Sequence, residues 1–72
     1  MDNNEKLEVL EEILDVEEGS LAPDTVLADL DEWDSITRLS LLIYFDEELG
    51  KKVSGDEIKA FETVEEIMAL MD

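Results

Sequence analysis

Apolar residues in this chain recur at helical spacing, and nowhere do they alternate with period two for long enough to make a strand. That pattern confines the fold to an all-α architecture. From about Asn4 to Val16, Leu7, Leu10 and Leu14 fall at i, i+3 and i+7, with Val9, Ile13 and Val16 beside them. One broad face of this helix is apolar and the rest is acidic. Asn3 or Asn4 can cap its start, Glu5 and Glu8 suit the positive helix end, and Glu17, Glu18 and Gly19 terminate the pattern.

A long connection follows, about Gly19 to Asp34. It holds Pro23, Gly19 and Ser20, but also Leu21, Val26, Leu27, Leu30 and Trp33. A flexible linker does not carry that much apolar surface, so this loop should pack down on the helices, with a helical turn within Thr25–Asp29. The next helix spans about Ser35 to Leu49. Its stripe through Leu41 or Leu42, Phe45 and Leu49 can serve a core, while Ile36, Leu39 and Ile43 lie on a neighbouring, partly exposed face. Gly50 stops it, and Lys51 and Lys52 suit its negative end. Ser54 with Glu57 marks a short turn carrying Ile58 and Phe61. Thr63 with Glu66 opens a last helix with Val64, Ile67, Met68, Leu70 and Met71. The expected fold is one small four-helix bundle over residues 1–72, made of three main helices, one short helix and a long first loop.

Composition then removes whole classes of function. Lys and Arg number 5 and Asp and Glu 22, a net charge of −17 in 72 residues. That charge disfavours nucleic acid and anionic membrane surfaces, and favours partners with basic patches. Cysteine and histidine are absent, so thiol nucleophiles, Ser-His-Asp triads and His or Cys metal sites are excluded. No apolar run reaches the roughly 20 residues of a membrane span, and Met-Asp-Asn-Asn-Glu-Lys does not read as a signal peptide. A cytoplasmic monomer without enzymatic activity of its own is expected.

The informative stretch is Asp31-Glu-Trp-Asp-Ser-Ile-Thr-Arg38, which joins the long loop to the most apolar helix. Ser35 stands at that helix's start, where unpaired N–H groups and the helix dipole can receive a phosphate. Asp34 can cap the same helix. Asp-Ser before a helix is also a common cap pair with no further role. Its setting distinguishes it: mid-chain, after a long first loop, in a short all-α chain of charge −17.

In that combination the chain resembles the acyl carrier protein family, from its first helix through Phe45-Asp-Glu-Glu-Leu-Gly50 to Thr63-Val-Glu-Glu-Ile67. The family's Asp-Ser-Leu mark stands here as Asp34-Ser35-Ile36, with Ile a mild departure of similar volume. The resemblance implies a 4′-phosphopantetheine arm, derived from coenzyme A by a phosphopantetheinyl transferase, on Ser35. It implies acyl cargo held as a thioester and shown to acyl-loading, elongating or acyltransferase enzymes. Asp46, Glu47, Glu48 and Glu57 become candidates for docking basic patches on those partners, or form an ordinary solvated face. Leu39, Leu42, Ile58, Phe61 and Ile67 become candidates for lining an acyl pocket, or are plain core.

Two residues depart from carriers of general fatty acid synthesis. Arg38 stands where acidic residues usually follow the serine, so a standard basic docking patch would meet it unfavourably. This favours a specialised pathway, such as lipopolysaccharide acyl chains, polyketides or other secondary lipids. Trp33 replaces the small residues common before Asp-Ser. It either anchors the loop on the bundle or flanks the arm; Tyr44 is open in the same way.

The competing class is an acidic interaction module or a weak divalent-cation binder without a prosthetic group. Asp29, Asp31 and Asp34 alternate like calcium ligands, but Asp34 and Ser40 stand where an EF-hand needs its glycine and final glutamate.

Overall fold

The computed structural model describes residues 2–71. Among these the chain forms α1 (Asn3–Leu14), a 3-10 turn (Leu27–Asp29), α2 (Ser35–Glu47), α3 (Gly55–Lys59) and α4 (Val64–Leu70). The all-α expectation holds, with the long loop between α1 and α2 and the short helix at α3. Helix α2 packs against α1 and α3, and α1 against α4. Each helix sends its apolar face inward: Leu10 and Leu14 from α1, Leu41 and Phe45 from α2, Ile58 from α3, Val64 and Ile67 from α4. All of these are fully buried.

The helix ends show local chemistry that the residue pattern only partly announces. Asp2, not Asn3 or Asn4, caps α1: its Oδ1 accepts the Glu5 N–H at 2.8 Å. The helix ends at Leu14, short of Val16, because Asp15 takes a left-handed conformation at φ 56°. The N–H groups of Asp15 and Val16 then donate back to the carbonyls of Glu12 and Glu11 and close the last turn. Helix α2 stops at Glu47 rather than Leu49. Gly50, at φ 64°, turns the chain so that the Lys51 N–H reaches the Phe45 carbonyl at 2.8 Å. Ser54 Oγ accepts the Glu57 N–H at the start of α3. At α4 the Glu66 carboxylate accepts the N–H groups of Glu62 and Thr63 at 2.6 and 2.8 Å.

The long loop is fastened at both ends. Val26 and Thr63 form an isolated antiparallel bridge. Around it the Leu27 N–H donates to the Glu62 carbonyl, the Val64 N–H to Thr25 and the Glu65 N–H to Pro23. Leu27 is fully buried between the helices. At the loop's start the carboxylate of Glu11, itself buried, accepts the N–H groups of Gly19 at 2.9 Å and Leu21 at 3.2 Å. A side chain on the acidic part of α1 thus satisfies two loop donors that have no helix partner.

Glu11→Ala should strip both donors of their acceptor and destabilise the fold by about 1–3 kcal/mol. Glu11→Gln, which keeps an oxygen acceptor, should lose less. Urea denaturation of the three chains tests this; an alanine variant as stable as the parent would show that the carboxylate does not hold the loop.

Candidate functional site

Helix α2 begins where Asp34 turns the chain out of an extended conformation. Its Oδ1 accepts the Thr37 N–H at 2.9 Å, and its carbonyl accepts the Arg38 N–H at 2.9 Å. Ser35 is therefore the first helical residue, and it is exposed. Ile36 beside it is 76% exposed. The backbone N–H of Thr37, with the further help of the Thr37 side chain, Ile36 and the Arg38 charge, holds the Asp34 carboxyl below its ordinary range, against a smaller opposing effect of desolvation. At neutral pH a carboxylate charge thus sits one residue before the serine.

Ser35 opens onto a groove of about 170 Å³ between α2 and α3. Leu39 and Leu42 from α2 and Ile58 from α3 give it an apolar floor. Arg38 and Lys59 stand on it as cations, and Gly55 completes its lining. Three of the five pocket candidates therefore come together beside the serine. Phe61 instead lines a separate cleft with Trp33 and Val26, because the chain has left α3 before it reaches position 61. Ile67 is fully buried beneath α4 and lines neither.

Trp33 is half-buried against the core, and it also holds Arg38. The guanidinium lies 6.0 Å from the indole centroid, and one of its nitrogens donates to the Trp33 carbonyl at 3.4 Å. Arg38 is thus folded back over the loop that precedes the serine. The sequence singles out both residues; their pairing depends on how the loop enters the helix. Tyr44 is half-buried, edge-on to Phe45 at 6.2 Å, with its phenol pushed up by burial and by Glu48.

Asp46, Glu47 and Glu48 are exposed at the far end of α2, and Glu57 is exposed in the first turn of α3. Lys52 stands 3.9 Å from Asp46, a solvent-exposed pair of little energetic weight. Between Ser35 and this acidic end run Leu39, 57% exposed, and Ile43, 45% exposed. With Ile36 they make an apolar stripe along α2 whose helical spacing is visible in the sequence. Among the described residues no group of three or more acidic side chains is arranged to hold a metal ion, and no helix is long and apolar enough to cross a membrane.

A family model described as a phosphopantetheine attachment site matches residues 7–71. No curated protein and no solved structure matches the chain.

The cap at Asp34 has a pH signature. Its folded-state pKa lies below the unfolded value, so its stabilising effect is complete above the ordinary Asp range and fades as pH falls through that range, roughly pH 4, toward the lower folded value. Asp34→Ala should therefore melt lower than the parent at pH 7, with the gap closing under acid. A gap that stays constant from neutral pH to below pH ~3 would show that the carboxylate is not the cap's working group.

Proposed function

The chain belongs to the family of phosphopantetheine-attachment carriers, and from that premise we propose that Ser35 is the residue that bears its 4′-phosphopantetheine arm. Members are carriers rather than enzymes. When bound, the arm supplies a terminal thiol that holds an acyl group as a thioester, and partner enzymes supply the catalytic groups. A transferase joins the Ser35 oxygen to the β-phosphorus of coenzyme A; the pyrophosphate bond breaks and the adenosine bisphosphate half leaves. The hydroxyl proton passes to a base on that transferase.

The observation that carries this assignment is the exposed Ser35 hydroxyl at the mouth of an apolar groove. The residues present fit the group. The oxygen is open to a large partner, and Leu39, Leu42 and Ile58 offer apolar contact beside it. A closed cavity near 150 Å³ is enough for benzene, so a groove of 170 Å³ takes a short acyl segment. A longer chain requires α2 and α3 to part. At a marginal stability of about 4–11 kcal/mol for a domain this size, such opening costs little.

Docking falls to the outer face of α2 in this reading. Ile36, Leu39 and Ile43 give a partner apolar contact next to the serine. Asp46, Glu47, Glu48 and Glu57 attract its basic residues and raise the rate of encounter, in a salt-sensitive way. Arg38, on the flank beside that surface, disfavours enzymes shaped for acidic first turns, which supports service to a specialised lipid, lipopolysaccharide or polyketide pathway over general fatty acid synthesis.

Incubation with coenzyme A, magnesium and a promiscuous phosphopantetheinyl transferase should add one arm to the intact mass, and Ser35→Ala should gain nothing. An unchanged parent mass after exhaustive treatment defeats the assignment and leaves an acidic interaction module. For the pathway, Arg38→Glu should accept acyl groups from general fatty acid synthase enzymes several-fold faster than the parent. Equal rates would remove the case for a specialised partner.

A further inference from the structure

Where a chain of net charge −17 spends its few cations is informative. Lys6 is buried on α1. Lys51 donates to the Leu70 carbonyl at 2.6 Å and so ties the start of the α2–α3 loop to the end of α4. Lys52 faces Asp46. The other two, Arg38 and Lys59, come from different helices and both line the groove that Ser35 opens, Lys59 at its border with the Trp33 and Phe61 cleft, which it lines as well. We propose that Arg38 and Lys59 form an anion clamp for the phosphodiester that joins the prosthetic arm to Ser35. This rests on the carrier reading above and adds to it a binding role for two residues of this chain.

Proximity supports the clamp. Ser35 and Arg38 are three residues apart on α2, neighbours on one helix flank, so a group fixed to the Ser35 oxygen lies within reach of the guanidinium. Arg38 is also held in advance. The indole face and the Trp33 carbonyl restrict its long side chain, and the carbonyl occupies only part of the guanidinium's fan of N–H donors. Less side-chain freedom is then lost when an anion arrives. Lys59, in the last turn of α3, is exposed, and no ion pair holds it among the described residues.

Charge gives the second argument. A phosphodiester bears one negative charge at neutral pH. Placed on Ser35, it stands beside the ionised Asp34 carboxylate, which already accepts the Thr37 N–H at the helix start. The rest of the chain adds a strongly negative field. The helix terminus alone is thus a poor anion site here, and the two groove cations offset that repulsion locally. The phosphodiester, rather than a carboxylate on the cargo, is the anion assigned, because the cargo end of the arm is remote from Ser35.

The test compares loaded and unloaded chains in low salt, with the unacylated arm so that no cargo charge is present. Intact mass first establishes loading in the parent, Arg38→Gln, Lys59→Gln and, as a control, Lys52→Gln. Loading adds a negative charge, so on net charge alone it should lower the melting temperature. With the clamp, loading should raise it by about 2–5 °C in the parent and in Lys52→Gln. Arg38→Gln and Lys59→Gln should lose most of that rise or reverse it. Because each value is loaded minus unloaded within one variant, any effect of losing the Trp33 contact or the cation at the end of α3 cancels. The phosphorus-31 resonance of the arm should also move between the parent and these two variants but not in Lys52→Gln.

A parent that gains the arm but melts lower for it overturns the clamp alone. So does a thermal rise, or a phosphorus resonance, that is the same in all four chains. A parent that gains no arm overturns the carrier reading itself, and the clamp with it.

Discussion

Burial of Leu41 and Phe45 sets the rotation of α2 about its axis, and with it the direction of the α2 side chains around Ser35. A helix turns by about 100° per residue, so one buried pair fixes the rest. With Leu41 and Phe45 inward, Ile36 and Ile43 lie on the opposite side and are exposed. Ser35 and Leu42 fall about a quarter-turn away, with Arg38 between them and the buried pair, on the flank that faces α3 and forms the groove. One rotation thus assigns three roles: core, groove and outer surface. This is how a helix apolar on more than one face fits into a small bundle. The buried pair offers the largest, best-packed contact, and the smaller aliphatic groups are left for others.

That division explains what could be read from the residues alone. The start of α2 at Ser35, the Asp34 cap, the Ser54 cap and the Glu66 carboxylate at the start of α4 are local matters of spacing, and all stand where the sequence puts them. The exposed stripe of Ile36, Leu39 and Ile43 follows from period alone. What the residues did not announce depends on chain segments far apart in sequence. Glu11 looks like one more acid on a solvated face until the loop folds back onto its carboxylate. The Val26–Thr63 bridge has no alternation to signal it, because a single paired position needs none. Asp15 in a left-handed conformation gave no cue either, since glycine is the usual occupant and Gly19 stood nearby.

The candidate site was legible to a similar degree. Ser35, Leu39, Leu42 and Ile58 come together because α2 and α3 pack as an ordinary helix pair. Phe61 and Ile67 were equally apolar and equally well spaced, and periodicity cannot say which side of the core a residue serves. Arg38 was conspicuous as a cation in an acidic chain, but its stack on Trp33 is a property of the turn between them. Lys59 gave no signal, because a lysine near a helix end has a sufficient local reason to be there.

The electrostatics pull in two directions. A net charge of −17 attracts basic surfaces at long range and makes copies of the chain repel one another. The same field opposes coenzyme A and any phosphate brought to Ser35. A uniform reduction in charge would relieve the second effect only by weakening the first. Placing cations locally avoids that exchange, because the interaction with a neighbouring phosphate acts over a few ångströms while steering acts over about a Debye length, near 8–10 Å. Arg38 and Lys59 stand within the groove, and the outer end of α2 keeps Asp46, Glu47 and Glu48 exposed. The near field at the serine and the far field of the molecule can therefore differ in sign. A carrier with its arm on Ser35, as proposed, needs that separation, since the anion it would keep and the cations it would meet arrive on neighbouring faces of one short helix.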